Sequence, residues 1–236
     1  MNERHYLAQT LKLKKELNQY LGKLEKSLEA RWGSDKTSSI IRRAKAYYPE
    51  IITEMPFFNT PMYDSIILLG SRILAVKKAM KEEGIGVEEF VAFSIRDSRE
   101  KSNRIPAILR KIGGWIFLSK PVRFYLKRVA RSASANSWPT KVVDGGRSDD
   151  YNMKVCTRDC GMVGFIRAVG EGDLIPYCTF FDFTTAEAMG LGLKHVSSIE
   201  TGECVYCFDR SGKVEWPESI RKALDKENQY VKGKTS

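Results

Sequence analysis

The side chains of this sequence that could do chemistry gather in its last third, which holds all five cysteines. A cysteine becomes a nucleophile when its pKa is lowered, and a helix N-terminus can lower it. Cys160 lies where a predicted helix begins and Cys178 directly precedes another, so these two thiols are the best placed for nucleophilic chemistry. The alternative is that the thiols are buried and inert, as free cysteines commonly are.

An acid and an imidazole lie in the same region. Asp182 interrupts the aromatic run TFFDF, where a buried carboxylate has to be paired or has to shift its pKa. Asp182 is therefore a candidate acid, base or cation ligand, and the alternative is a first-turn helix residue that faces solvent. His195, on a predicted strand, is a candidate proton carrier, and the alternative is an ordinary packing residue.

Two cysteine pairs have spacings that zinc sites use. Cys204 and Cys207 form C-x-x-C, and Cys156 and Cys160 form C-x-x-x-C. However, Cys204 and Cys207 fall on a predicted strand, whose alternation points them to opposite faces of a sheet. Zinc is therefore not favoured, and we expect no metal and no cofactor.

The elements that must position these residues differ along the chain. Leucines recur at three- and four-residue steps through residues 6–31, which predicts a long helix, and further helices follow. We expect a mainly helical region over residues 1–136, an α+β core with the Cys/Asp site over 137–215, and a short helix with a tail over 216–236. The core is predicted to run strand, helix, helix, strand, strand. The predicted fold class is α+β, with the helices packed on a small antiparallel sheet as one compact unit.

Local signals predict where helices are interrupted. Pro49 predicts the end of a helix that begins near residue 37. Gly113 and Gly114 predict a break in the apolar segment 105–119. The charged C-terminal residues predict a frayed tail.

The composition is typical of a globular protein, with 236 residues of which 42% are hydrophobic and 29% are charged. No apolar run is long enough to span a bilayer, and the residues after Met1 do not resemble a secretion signal. The odd number of cysteines argues against a disulfide framework. We therefore expect a cytoplasmic protein.

The net charge is +10, and basic side chains concentrate between Arg99 and Arg131. Such a segment can meet nucleic acid or an anionic membrane, or it can be a solvated face whose side-chain stems cover apolar surface. No recognisable nucleic-acid motif accompanies it. The broad leucine stripe of the first helix favours a homodimer.

The order of motifs between Cys160 and Phe208 resembles the L-2-amino-thiazoline-4-carboxylic acid hydrolase family. The segments that carry the resemblance are CTFFDFTTAEAMG, the strand HVSSIETG and the closing CVY. The matching residues are Cys160, Gly170, Cys178, Asp182, Ser198 and Cys204. His195 and Val196 stand where the family strand carries arginine and threonine. Cys207 is the alternative to Cys204, which is favoured because it shares a strand face with Tyr206 and Phe208.

This resemblance implies a hydrolase that opens a C–N or C–S bond of a cyclic amidine, such as the ring of a 2-amino-thiazoline. The partner that it implies is therefore a small-molecule substrate. It implies catalytic roles for Cys160, Asp182 and Cys204, and substrate-binding roles for Cys178, His195 and Ser198. Cys160 or Cys204 would attack as a thiolate, Asp182 would bind the amidinium, and a second thiol or His195 would protonate the leaving sulfur.

The same run of strand, helices and hairpin also resembles 4-vinyl-reductase-like small-molecule-binding domains. That resemblance implies a sensor or accessory domain whose pocket binds a ligand without chemistry. A polar site that converges on Asp182 and at least two thiols favours the hydrolase, whereas an apolar tunnel with separated thiols favours the binding domain.

Overall fold

The computed structural model describes residues 4–58, 60–134, 138–146, 148–196 and 203–235. The helices are α1 (Arg4–Leu7), α2 (Thr10–Trp32), α3 (Ser34–Thr53), α4 (Pro61–Glu82), α5 (Val87–Asn103), α6 (Ala107–Phe117), α7 (Lys120–Ser134), α8 (Gly161–Ala168), α9 (Phe180–Ala188) and α10 (Glu218–Thr235). The strands are β1 (Thr140–Asp144), β2 (Met153–Arg158), β3 (Gly192–His195), β4 (Glu203–Asp209) and β5 (Val214–Glu215). A short 3₁₀ helix, Gly172–Tyr177, precedes α9.

The chain forms two compact units, one from Met1–Phe90 with Gly161–Leu174 and the other from Val91–Cys160 with Ile175–Ser236. The first unit is helical. Its α3 packs against α2 and α4, and α8 packs against α4. Most of the leucine stripe is buried in this packing, namely Leu13, Leu17, Leu21, Leu24 and Leu28. Leu7 and Leu11 at its N-terminal end are exposed, so most but not all of the stripe that favoured a homodimer is covered within the chain itself.

The predicted helix end at Pro49 is wrong. Pro49 lies inside α3, which continues to Thr53. A proline in a helix interior loses a hydrogen bond at a cost of about 3 kcal/mol or more. Tyr48, Ile51 and Ile52 around it are each at most 2% exposed, and burying each such side chain contributes about 1.5–3 kcal/mol. Packing therefore outweighs the broken hydrogen bond.

The second unit is built on a five-stranded sheet of order β1-β2-β4-β3-β5. All pairings are antiparallel except the last, in which β3 runs parallel to β5. The α+β class and the predicted order of strand, two helices and two strands are confirmed. The sequence did not predict β1, β5 or the 3₁₀ helix. The C-terminal tail, which was predicted to fray, is helical to Thr235.

One face of this sheet is covered by helices and forms the core of the unit. Its buried members are Leu118, Met153, Phe183, Ala186, Leu191 and Leu193. Helix α9 packs on β3 and β5, and α7 packs on β1. Because side chains alternate along a strand, this covered face also receives alternate residues of β4, which places chemically active groups beside α9.

The predicted break at Gly113 and Gly114 is also wrong, because α6 runs through both glycines. A Cβ at Gly114 would lie 2.4 Å from the backbone carbonyl oxygen of Met189, whereas one at Gly113 would meet nothing within 4 Å. Gly114 therefore allows a close approach of α6 to the chain after α9 and does not end the helix.

In the part of the chain that the structure describes, no helix combines the length and apolar character needed to cross a membrane.

Candidate functional site

Strand β4 presents the predicted site cysteine towards α9. Cys204, Tyr206 and Phe208 share the covered face of the sheet, where Cys204 pairs with Thr157 and Tyr206 pairs with Val155. Cys207 lies on the opposite face, as the strand alternation predicts. The register of β4 thus separates the two cysteines of the C-x-x-C pair and places only Cys204 beside Tyr206.

Asp182, in the first turn of α9, is in contact with Tyr206. The Tyr206 hydroxyl donates a hydrogen bond to the Asp182 carboxylate. Burial raises the pKa of Asp182 to about 6, although this hydrogen bond and one from the backbone act in the opposite direction. The residue as a whole is nevertheless exposed to solvent. Because Asp182 is exposed, a solute can reach this residue. Because its pKa is raised to about 6, the carboxyl changes its charge near neutral pH.

The thiols of Cys178 and Cys204 lie close enough to Asp182, and to the thiol of Cys160, for electrostatic coupling. Burial raises the pKa of Cys204 to about 12, and the neighbouring Cys160 and Asp182 add to that rise. Burial likewise raises the pKa of Cys178 well above its ordinary value, with further contributions from Cys160, Cys204 and Asp182. Both groups are therefore neutral thiols at pH 7 and poor nucleophiles.

Cys160 occupies the turn between β2 and α8. It is half-buried, and its predecessor Asp159 has a backbone φ of 47°, in the left-handed region that non-glycine residues seldom adopt. The chain leaves β2 at Arg158 and enters α8 at Gly161, so two residues, Asp159 and Cys160, connect these elements.

Tyr206 is the centre of the cluster and was not among the predicted site residues. Its hydroxyl contacts Asp182 and also lies within hydrogen-bonding reach of the Cys204 thiol. Burial raises the pKa of Tyr206 well above its ordinary value, so the hydroxyl keeps its proton and remains a donor. The signal in the sequence was the i, i+2 spacing of Cys204 and Tyr206 on one strand, which predicts a shared face but not a hydrogen bond to α9.

His195 extends the cluster along β3. It pairs with Tyr206 across the strands, and the two ring centroids are 5.2 Å apart. Burial lowers the pKa of His195, so the imidazole is neutral at pH 7. Its Nε2 atom and the Oγ1 atom of the buried Thr179 have no hydrogen-bond partner among the described residues. Buried polar atoms without partners are expensive, and a bound solute or water would satisfy them.

The remaining predicted site residue, Ser198, lies outside the described residues. Cys156 and Cys207 belong to the opposite sheet face, where Cys207 pairs with Lys154 and Lys194. Across the described ranges, no group of three or more His, Cys, Asp or Glu side chains is arranged to hold a metal ion.

Two surface clefts of the second unit lie away from the cluster. One, of about 230 Å³, is lined by Arg99, Ser102, Asn103, Arg110, Thr184, Glu187 and Ala188. The other, of about 330 Å³, is lined by Asp149, Asp150, Tyr151, Asn152, Asp209, Arg210 and Ser211. Neither of them includes Asp182 or a cysteine. The candidate site is therefore defined by shifted pKa values and by polar atoms without partners, and not by a cleft.

Comparisons with protein-family models, with curated proteins and with solved structures found no match to this chain. The geometry alone therefore defines what the cluster can do. It combines a reachable carboxyl whose charge changes near pH 6, a hydroxyl donor and two neutral thiols. Such a set can hold a cationic group, donate protons to a leaving atom, and place a third thiol, that of Cys160, beside both.

Proposed function

We propose that this chain is a hydrolase of the L-2-amino-thiazoline-4-carboxylic acid hydrolase type, which opens a C–N or C–S bond of a cyclic amidine. The observation that carries the proposal is the convergence of Asp182, Tyr206 and the thiols of Cys160, Cys178 and Cys204 in one compact unit. An apolar ligand tunnel would have no use for a reachable carboxyl surrounded by proton donors.

Asp182 binds the substrate in this proposal. A protonated amidine is planar and offers parallel N–H donors, which match the two oxygens of a carboxylate. Above pH 6 the carboxylate is charged, and the bound cation stabilises that charge further. The hydrogen bond from Tyr206 fixes the orientation of the carboxylate while it leaves lone pairs available for the amidinium.

Cys160 is the nucleophile in this proposal, since Cys178 and Cys204 hold their protons at pH 7. The Cys160 sulfur attacks the amidine carbon, the ring C–S bond breaks, and a neutral thiol protonates the leaving sulfur. Water then attacks the resulting isothiourea, and Cys160 leaves as a thiolate while the product becomes a substituted urea. The overall change is the addition of one water. His195, neutral and with an unpartnered Nε2, can accept a proton from that water.

The test measures ring opening of 2-amino-thiazoline-4-carboxylate by chromatography of the urea product. We expect Cys160→Ser and Asp182→Asn to lose about 10²- to 10⁴-fold in kcat/KM, because each removes a group that acts on the reacting carbon. Cys204→Ser should lose less, because a hydroxyl can still donate a proton. Cys156→Ser, on the opposite sheet face, is the matched control and should keep full activity. Full activity in all three site variants would refute the assignment.

One observation favours the second candidate, a domain that binds a small molecule without chemistry. The high pKa values of Cys178 and Cys204 also suit thiols that merely line a pocket. Calorimetric titration of the wild-type chain with cyclic amidines, thiazolines and hydantoins separates the two functions. Tight binding without turnover of any of them would establish the binding domain.

Because all five cysteines are free and the reaction needs reduced thiols, we further propose a reducing compartment such as the cytoplasm.

A further inference from the structure

Large apolar side chains are exposed on α6 and α7 of the second unit. Eight of the thirteen exposed large hydrophobic residues in the described ranges come from the segment 105–125. They are Ile105, Ile108, Leu109, Ile112, Trp115, Ile116, Phe124 and Tyr125. Isolated exposed hydrophobic residues are ordinary, but a contiguous set marks a surface that meets something apolar. We call these eight residues the apolar face.

Helix α6 is packed in the reverse of the usual sense. Ile108, Ile112 and Trp115 recur at three- and four-residue steps along its outer face, and Trp115 is 62% exposed. Its inner face carries Gly114, which is buried and has space only for hydrogen because the carbonyl oxygen of Met189 is so close. The helix therefore reserves its small residue for the protein interior and turns its bulky residues outwards.

Cations surround the apolar face, and acids are absent from the segment. No Asp or Glu occurs between Glu100 and Asp144. Between residues 104 and 131 the exposed basic residues are Arg104, Lys111, Lys120, Arg128 and Arg131. They alternate with the apolar residues along α6 and α7, so any partner has to satisfy both kinds of side chain.

We propose that α6 and α7 form a peripheral membrane-binding surface that lies in the headgroup region of an anionic lipid bilayer. Interfacial helices bury an apolar face that includes aromatic and aliphatic residues, while their Lys and Arg side chains meet anionic headgroups. A second copy of this chain would bring like charges together. Nucleic acid would match the cations but would leave Ile108, Ile112 and Ile116 facing phosphate and water. The bilayer is the partner that satisfies both sets, and this inference does not depend on the proposed hydrolase activity.

The experiment is co-sedimentation of the full chain with vesicles of phosphatidylcholine alone and with vesicles that also contain phosphatidylserine. We expect binding to the anionic vesicles, weaker binding to the neutral ones, and release as salt is raised. Ile108→Ser with Ile112→Ser should weaken binding about tenfold or more, because two apolar side chains no longer leave water. Lys111→Glu with Arg128→Glu should remove the preference for anionic vesicles.

Matched controls come from α2. Leu11 is 86% exposed and Lys12 is also exposed, so Leu11→Ser and Lys12→Glu change the same residue types far along the chain. Both controls should bind as the wild type does, and thermal melts followed by circular dichroism check that every variant is folded. The proposal is overturned if the wild type binds neither vesicle or does not distinguish them, or if the controls lose as much binding as the α6 variant. Self-association abolished by Ile108→Ser with Ile112→Ser, or tighter binding to duplex nucleic acid than to vesicles, would assign the surface to that partner instead.

Discussion

Each of the two compact units contains carboxylates, but the neighbours of these carboxylates differ between the units. In the first unit, the almost fully buried Lys77 makes ion pairs with Glu171 and Asp173, and Lys81 lies 3.8 Å from Glu171. In the second unit, Asp182 has Tyr206 and thiols as neighbours, and among the described residues no cation contributes to its pKa. The first cluster is balanced in charge, and the second is not.

This difference separates a structural use of a carboxylate from a chemical one. A balanced pair holds two segments together, here α4 and the chain that follows α8. An unbalanced carboxyl shifts its pKa towards neutrality and can exchange protons or accept a cationic solute. The comparison predicts that changes in the first cluster act on stability, and that changes in the second act on pH dependence and binding.

The largest effect is expected from Lys77→Met. Removing the lysine leaves Glu171 buried without its cation, which should lower the free energy of unfolding by about 3–5 kcal/mol, measured by urea denaturation. Lys81→Met is the matched control, because Lys81 faces the same carboxylate but is about half exposed; it should cost less than about 1 kcal/mol. Equal effects of the two substitutions would remove the distinction between the clusters.

A smaller, pH-dependent effect is expected from Asp182→Asn. The pKa of Asp182 is raised to about 6 in the folded chain, so ionisation is penalised there and folding weakens as the pH rises from about 4 to above 6. The variant should be as stable as the wild type near pH 4 and more stable at pH 8. The residue is exposed, so solvent screening limits the gap to about 1 kcal/mol. Urea denaturation over a pH series measures it, and a gap that is constant with pH would contradict the raised pKa.

The smallest effect is expected from Glu187→Gln, which changes a balanced carboxylate on the same helix as Asp182. Glu187 accepts two hydrogen bonds from Arg99, at 2.6 and 2.9 Å, and both side chains are partly exposed. The loss should be about 0.5 kcal/mol, measured by urea denaturation. Glu203→Gln, which breaks the more exposed pair with Arg158, is the control and should change stability less. A loss in Glu187→Gln as large as that in Lys77→Met would contradict the expectation that burial decides the strength of an ion pair.

Periodicity predicted most of the fold, and long-range packing decided the remainder. The helices of the first unit, and the order strand, helix, helix, strand, strand over β2, α8, α9, β3 and β4, follow from spacings of apolar residues, whereas β1 does not. Pro49 and Gly114 misled because local propensity is weaker than burial, and because a glycine can serve a contact with a residue as distant in sequence as Met189. Strand β5 has two residues, too few to show an alternation.

The site was predictable only in part, for a similar reason. Alternation along β4 correctly separated Cys204 from Cys207. Asp182 lies in the first turn of α9 and is exposed, as the alternative to a buried carboxylate predicted, and its pKa is nevertheless raised. The role of Tyr206 could not be predicted, because its hydrogen bond joins a strand to a helix over more than twenty residues of chain. The unpartnered atoms of Thr179 and His195 are likewise visible only once neighbouring elements are packed.

The position of β4 between β2 and β3 limits how the length of this strand can change in evolution. Its pairing is fixed on both sides, at Thr157 with Cys204 and at His195 with Tyr206. Losing or gaining one residue within the strand would turn Cys204 and Tyr206 outwards and bring their neighbours in. Substitutions along β4 should therefore be tolerated far more readily than a change in its length. Related sequences that keep this cluster should have no single-residue insertions or deletions within the strand.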